Sequence, residues 1–183
     1  MNNGKLKDII VCLIGESGCG KTTIAEKLNK EYGYVTLESY TTRQKRLEDE
    51  IGHIFISEEK YNLLPNKVAT TYFDGSYYCA TKEQIENSDI YIVDPPGFKQ
   101  LKELYKGSKK IVSIYISVPM DIRLDRMRRR GDSEDECWQR LRNDDNIFRG
   151  CKGDCDYVTN GISESTWFNI NQIIIKESRG DFI

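Results

Sequence analysis

Six consecutive apolar residues, Ile9-Ile10-Val11-Cys12-Leu13-Ile14, run without a break into Gly15-Glu16-Ser17-Gly18-Cys19-Gly20-Lys21-Thr22, and that octet opens a helical pattern from Thr23 to Lys30. No other stretch constrains the fold so far. An uninterrupted apolar run of this length suits a strand buried on both faces. The spacing G-x-x-x-x-G-K-T, between a strand and a helix, is that of a phosphate-cradling loop. The glycines let the backbone curl through conformations that a Cβ forbids. Successive N–H groups then point inward as an anion nest, and the helix N-terminus adds unpaired donors and the positive end of its dipole. Lys21 carries a point charge toward the β- and γ-phosphates, and Thr22 offers a hydroxyl to Mg²⁺. Gly15 to Thr23 are therefore the candidate residues for a nucleoside triphosphate, with ATP as the expected co-substrate and Mg²⁺ on Thr22.

The rest of the chain alternates extended and helical patterns. The first strand is expected over about 7–14 and the helix after the loop up to Gly33. A short strand, Tyr34 to Leu37, is followed by a polar stretch, Glu38 to Glu50, without a period. Gly52 to Ile56 is extended. Ser57 is placed to cap a short helix that Pro65 stops. Val68 to Tyr78 is rich in Thr, Tyr and Phe and reads as a hairpin turning at Asp74-Gly75. Thr81-Lys82-Glu83-Gln84 is a capping box. Ile90 to Asp94 reads as a buried parallel strand ending in a carboxylate, Gly97 to Lys106 as a helix, and Ile111 to Val118 as another buried strand. Asp121 to Arg130 is an arginine-rich helix, with Gly131 as a break before a helix from Glu134 to Phe148. Tyr157 to Thr159 is a last strand, and Ser163 to Lys176 a terminal helix. Such alternation predicts an α/β fold, a P-loop NTPase-type parallel sheet with helices on both faces, with ligands at the carboxyl ends of its strands.

The 183 residues suit one domain. A net charge of −2 gives no global attraction to nucleic acid, and no apolar run approaches the length of a membrane span, so neither partner is expected. Met1 to Lys5 lack the apolar core of a signal peptide, and the six cysteines are scattered, which predicts a cytoplasmic protein with reduced thiols. Cys151 and Cys155 have half the spacing of a metal site and no second pair to complete it, so they read as loop thiols.

Further motifs follow in order. Thr41-Thr42-Arg43 and Arg46 put two arginines in an irregular segment, where they can converge on one oxyanion. Then come Gly52 and Phe55, Gly75-Ser76-Tyr77-Tyr78, Asp94-Pro95-Pro96-Gly97, Arg126-Met127-Arg128-Arg129-Arg130-Gly131, Arg140-Leu141 and Cys155-Asp156-Tyr157-Val158-Thr159-Asn160. Together with the phosphate loop, this order resembles the guanylate kinases from Ile9 to about Asn160. The resemblance implies a nucleoside monophosphate kinase acting on GMP or dGMP, with an acceptor-binding subdomain over 38–81 and a lid over 128–140 in one kinase domain, 1–183. It implies that Arg43, Arg46 and Tyr78 hold the acceptor phosphate, with Tyr40 at the acceptor nucleoside and Asp94 facing that nucleoside or a Mg²⁺-bound water. It implies that Arg130 and Arg140 close with Lys21 over the transferring group and that Asn160 lies by the donor adenine. A kinase for another nucleotide or a phosphorylated sugar, or a non-catalytic interaction module, are the competing readings; the intact Lys21 and Thr22 speak against the last.

The departures from the family fall at its base-reading positions. Tyr40 stands where the family has serine, Ala69 where it has glutamate, and Cys79 and Ala80 where it has glycine and a hydroxyl residue. Ile92 replaces a second carboxylate, and a phosphate-touching tyrosine falls on His53 or Phe55. Phosphate handling is kept and base reading is reduced, so weaker discrimination among bases is expected.

Overall fold

The computed structural model of the protein describes residues 5–45, 48, 52–73 and 75–178. β1 (Ile9–Ile14) leads through the glycine-rich loop into α1 (Lys21–Tyr32), which ends where Gly33 turns to φ 71° and returns its N–H to the Asn29 carbonyl. Next come β2 (Ser39–Thr41), β3 (His53–Phe55), α2 (Glu58–Leu63), and a hairpin of β4 (Lys67–Phe73) and β5 (Ser76–Thr81). α3 (Lys82–Glu86) starts at the expected capping box of Thr81 and Gln84. β6 (Ile90–Ile92), α4 (Pro95–Leu104), β7 (Lys110–Ser117), α5 (Met120–Arg129), α6 (Glu134–Ile147), β8 (Tyr157–Asn160) and α7 (Thr166–Ser178) complete the order.

Two four-stranded sheets result. The main sheet runs β6-β1-β7-β8 and is parallel throughout. The second runs β3-β2-β5-β4; its β2–β3 pair is parallel and the others antiparallel. Every residue of β1 is buried because strand alternation sends its side chains into two cores. Ile9, Val11 and Leu13 pack with Ile24 and Leu28 of α1 and Ile170 and Ile174 of α7. Ile10, Cys12 and Ile14 pack with Phe98 and Leu101 of α4 and with Ala69 and Ala80 of the hairpin. The α/β fold with helices on both faces of a parallel sheet is as expected. The central strand ends, with its loop, between the two layers that carry the site.

Three local expectations are corrected. Tyr34 to Leu37 is not a full strand: Thr36 alone bridges to Ile90 at the sheet edge, with Val35 accepting from the Asp89 and Ile90 N–H groups. The polar stretch after Glu38 contains β2, which is only three residues long and too short to show a period. α4 begins two residues before Gly97, since Asp94 caps it by accepting from the Gly97 N–H, and Pro95 and Pro96 take the first turn, where a missing N–H costs nothing. Gly75 has the positive φ, 74°, that the hairpin turn requires, while its neighbour Asp74 lies outside the described residues.

Candidate active site

The glycine-rich loop takes the conformation its composition demands. Gly18 and Gly20 have φ 78° and 95°, and a Cβ at Gly18 would lie 2.6 Å from the backbone oxygen of Arg123. α5 thus presses on the loop at a point only glycine fits. Lys21 folds over the loop, its Nζ donating to the carbonyls of Gly15 at 2.5 Å and Glu16 at 3.2 Å.

Two cavities open on either side of this lysine. The larger, about 610 Å³, is walled by the loop from Ser17 to Thr23, by Arg126, Arg130 and Arg140, and by Gly161 to Glu164 with Trp167. The smaller, about 250 Å³, is walled by Gly15, Phe73, Ile92, Asp94, Asp144 and Phe148. Ser17 and Lys21 belong to both walls, so the cavities meet at the loop.

The expected residues are distributed as follows. Ser17, Gly18, Cys19, Gly20, Lys21, Thr22, Thr23, Arg130 and Arg140 all line the larger cavity, while Gly15 and Asp94 line the smaller. The Glu16 side chain turns away, accepting from Tyr115 Oη at 3.1 Å and pairing with Arg123. Asn160 ends β8 next to the cavity wall, and its Oδ1 accepts from the Ile162 N–H. Tyr40 and Tyr78 lie on adjacent strands of the small sheet, opposite Cys79 and Thr41 respectively. Tyr78 meets the His53 ring edge-on at 5.6 Å, and His53 Nδ1 is 2.9 Å from Ser39 Oγ. The Arg43 guanidinium sits 5.3 Å from the Phe55 ring centre, so Arg43, Phe55, His53 and Tyr78 form one cluster at the small sheet. Arg46 lies outside the described residues.

Asp94 has two tasks. Its Oδ1 caps α4 and also accepts from Thr71 Oγ1 at 2.9 Å. Burial raises its pKa above the usual carboxylate value, partly opposed by those hydrogen bonds. Ala69 and Ala80, the positions matched to the family's glutamate and hydroxyl residue, are opposite each other in the hairpin and fully buried. Thr70 gives its hydroxyl and its N–H to Gln100 Oε1.

The arginine-rich helix divides in a way the sequence did not disclose. Arg128 and Arg129 are on the solvated face, paired with Glu134 and Asp125 as expected of such a face. Arg130 and Arg140 share Asp132 across the Gly131 turn, at 2.5 and 3.5 Å. Arg126 opens the Arg126–Gly131 motif, where the resemblance assigns it no contact, yet it donates to the carbonyls of Gly18, Cys19 and Gly161 and joins the loop to the far wall. Arg123 is not on the solvated face. It is 5% exposed and pairs with Glu16 and with Asp144. The signal available was position: 123, 126 and 130 fall on one helical face, three and four residues apart. Cys151 and Cys155 are free thiols, and Cys155 donates to the Cys151 carbonyl.

A parallel sheet, a glycine-rich loop under a basic helix and two cavities meeting at a lysine define a P-loop nucleotide-binding protein. Comparison with known families agrees: the AAA domain family matches residues 11–147, and the chain belongs to that family. The relatives it resembles are guanylate kinases, and it is a homologue of them. It is 26% identical to a guanylate kinase of Anaplasma phagocytophilum (strain HZ) over 184 residues, 92% of this chain and 87% of that one. It is 34% identical to a guanylate kinase of Clostridioides difficile (strain 630) over 110 residues, 54% of each chain. The crystal structure of guanylate kinase from Anaplasma phagocytophilum shares the fold with a TM-score of 0.71 at 23% identity, covering 96% of this chain and 88% of that one.

Proposed function

We propose that the protein transfers the γ-phosphoryl group of ATP to a nucleoside monophosphate, GMP or dGMP, as a guanylate kinase. The observation that carries this reading is the meeting of two cavities at Ser17 and Lys21, one for a donor and one for an acceptor. The larger cavity is the donor site, with Ser17 to Thr23 on its wall around the phosphates, Gly15 and Glu16 starting the same loop, and Asn160 near the adenine. The segment 38–81 is the acceptor-binding subdomain, where Arg43, Arg46, Tyr78 and Tyr40 take the acceptor with Asp94. The segment 128–140 is the lid.

The acceptor phosphate is largely ionised at neutral pH, since its second pKa is about 6, so no general base is required. Catalysis then consists of alignment and charge stabilisation. Lys21 reaches both cavities and stands where the group crosses. Arg130 and Arg140, held together by Asp132, bring two positive charges over it when the lid closes about Gly131 (φ 96°). Closure excludes water and so protects ATP from hydrolysis. The Thr22 side chain on the cavity wall suits Mg²⁺, an oxygen-seeking ion that keeps several waters. When bound, Mg²⁺ neutralises charge on the phosphate oxygens. The six free thiols fit a reducing compartment, and we place the protein in the cytoplasm.

A thermal-shift panel tests the reading. A ligand at 100 times its Kd stabilises by about 2.7 kcal/mol, which raises Tm by roughly 5–10 °C for a chain of this size. Mg·ATP and GMP or dGMP are expected to do so. A panel in which no nucleoside monophosphate shifts Tm contradicts the assignment.

A further inference from the structure

The buried arginine of α5 has no part in the chemistry described so far. Arg123 contacts two carboxylates, Glu16 Oε1 at 3.0 Å and Asp144 Oδ2 at 3.2 Å. Asp144, on α6, is itself buried and accepts from the Ser17 N–H at 2.8 Å and from Ser17 Oγ at 3.2 Å. The same arginine donates to the Ser17 carbonyl at 3.3 Å. All three polar groups of Ser17, its N–H, hydroxyl and carbonyl, are therefore held by one buried pair of side chains, one from each helix flanking the lid.

Stability alone gives little reason for this arrangement. Burying an ion pair costs desolvation that its attraction often fails to recover, and an apolar substitute of similar volume is frequently as stable. Here the cost is higher, because Arg123 Nε is buried without a partner among the described residues. What the pair does supply is orientation. A phosphate loop works only if the N–H groups that bind the anion point at it and its carbonyls point away. Arg123 and Arg126 draw the carbonyls of Ser17, Gly18 and Cys19 toward α5. Asp144 takes the N–H of the preceding Glu16–Ser17 peptide and so holds the start of the loop from the α6 side, on the wall of the smaller cavity.

We propose that Arg123 and Asp144 are positioning residues, which set the Ser17 segment of the phosphate loop and tie it to the two helices that carry Arg130 and Arg140. The inference rests on the kinase reading for its rate effects, but its effect on loop geometry is measurable by nucleotide binding alone. Without Arg123, two carboxylates would face each other beside a loop meant for a polyanion, and triphosphate affinity would fall. Without Asp144, Ser17 loses its anchor and the loop its tie to α6.

The test compares Asp144→Asn, Arg123→Lys and the double substitution Arg123→Met with Asp144→Ala. Each is measured for Tm, for Mg·ATP affinity by calorimetry without acceptor, and for kcat and KM of transfer. The double variant removes both charges together and is expected to keep Tm within a few degrees of the parent. It is nonetheless expected to bind Mg·ATP about tenfold more weakly and to lose at least about tenfold in kcat, the scale of misplacing a group that must be aligned. Asp144→Asn keeps the shape and an acceptor for Ser17, so it folds even if the double variant does not. It is expected to lose several-fold in kcat with a smaller change in KM for ATP, and Arg123→Lys, which cannot span two carboxylates and a carbonyl, is expected to resemble it. Wild-type affinity and kcat in a folded double variant, or in Asp144→Asn, would overturn the proposal and leave a purely structural pair. Should wild-type protein transfer to no monophosphate, the kinase reading fails, while the calorimetric comparison still decides the role of the pair.

Discussion

Exchanging the base of the acceptor is expected to cost this protein less than a fully hydrogen-bonded guanine site would exact. Ala69 and Ala80 are paired across β4 and β5 and offer no side-chain hydrogen bond. The two nearest hydroxyls on β4 are committed, Thr71 to Asp94 and Thr70 to Gln100. Asp94 accepts from both Thr71 and Gly97 on Oδ1, so its other oxygen is the carboxylate contact left for a guanine N–H. Guanine presents a ring N–H and an exocyclic amine, and a site lacking the glutamate and hydroxyl leaves about two of these contacts unmade. At about 1–3 kcal/mol each, the loss is roughly 2–6 kcal/mol, or about 30-fold to 10⁴-fold of discrimination forgone. The assay is kcat/KM for GMP, dGMP, AMP, CMP, UMP and TMP with Mg·ATP. GMP or dGMP is expected to lead by clearly less than about 10⁴, the margin of a site that hydrogen-bonds its substrate fully. A larger margin over every other base would refute the reasoning and show that other residues read the base.

Three further outcomes follow from particular contacts. Arg43→Ala removes the charge proposed for the acceptor phosphate and is expected to raise KM about tenfold or more for every monophosphate, with Mg·ATP affinity little changed; an effect confined to one base would show that Arg43 reads the base. Gly18→Ala places a Cβ in a left-handed backbone and 2.6 Å from the Arg123 oxygen, which costs about 2–5 kcal/mol in total and is expected to lower Tm by roughly 5–15 °C in a thermal melt; an unchanged Tm would show that α5 does not press on the loop. Asp94 has its folded pKa raised by burial, so the folded state holds the proton more tightly, and stability falls as pH rises from the unfolded carboxylate value through the folded one. Asp94→Asn keeps the helix cap and removes the buried charge, so its Tm relative to wild type is expected to be most favourable at neutral pH and to decline toward acid; a pH-independent difference would contradict this.

The sequence discloses what depends on local pattern. The loop, its strand and α1 are legible because glycine spacing, an apolar run and a helix start agree within thirty residues. Capping residues mark α2 and α3 for the same reason: Ser57 and Thr81 accept from N–H groups three residues on. The Asp-Pro-Pro start of α4 had an equally local signal, a capping carboxylate followed by prolines at the first turn. β2 had none, because three residues gain their strand character only by pairing with β3 and β5. The site divides along the same line. Arg130, beside Gly131, and Arg140, in Arg140-Leu141, stand in local motifs, and both line the larger cavity. Arg123 and Asp144 stayed hidden because their partners are 107 and 127 residues away in the chain, at Glu16 and Ser17, and only the packing of α5 and α6 on the loop brings them together.

The central claim, that Lys21 stands between a bound ATP and a bound nucleoside monophosphate, is tested most directly by following phosphate transfer itself. Wild-type protein with Mg²⁺, γ-labelled ATP and GMP or dGMP is expected to yield ADP and labelled diphosphate in equal amounts. Lys21→Ala is expected to retain the wild-type Tm within a few degrees and to lose at least about 10²-fold in kcat, the scale of removing one preorganised charge contact to the transition state. Label appearing only as inorganic phosphate, or a Lys21→Ala protein that transfers at the wild-type rate, would contradict the account.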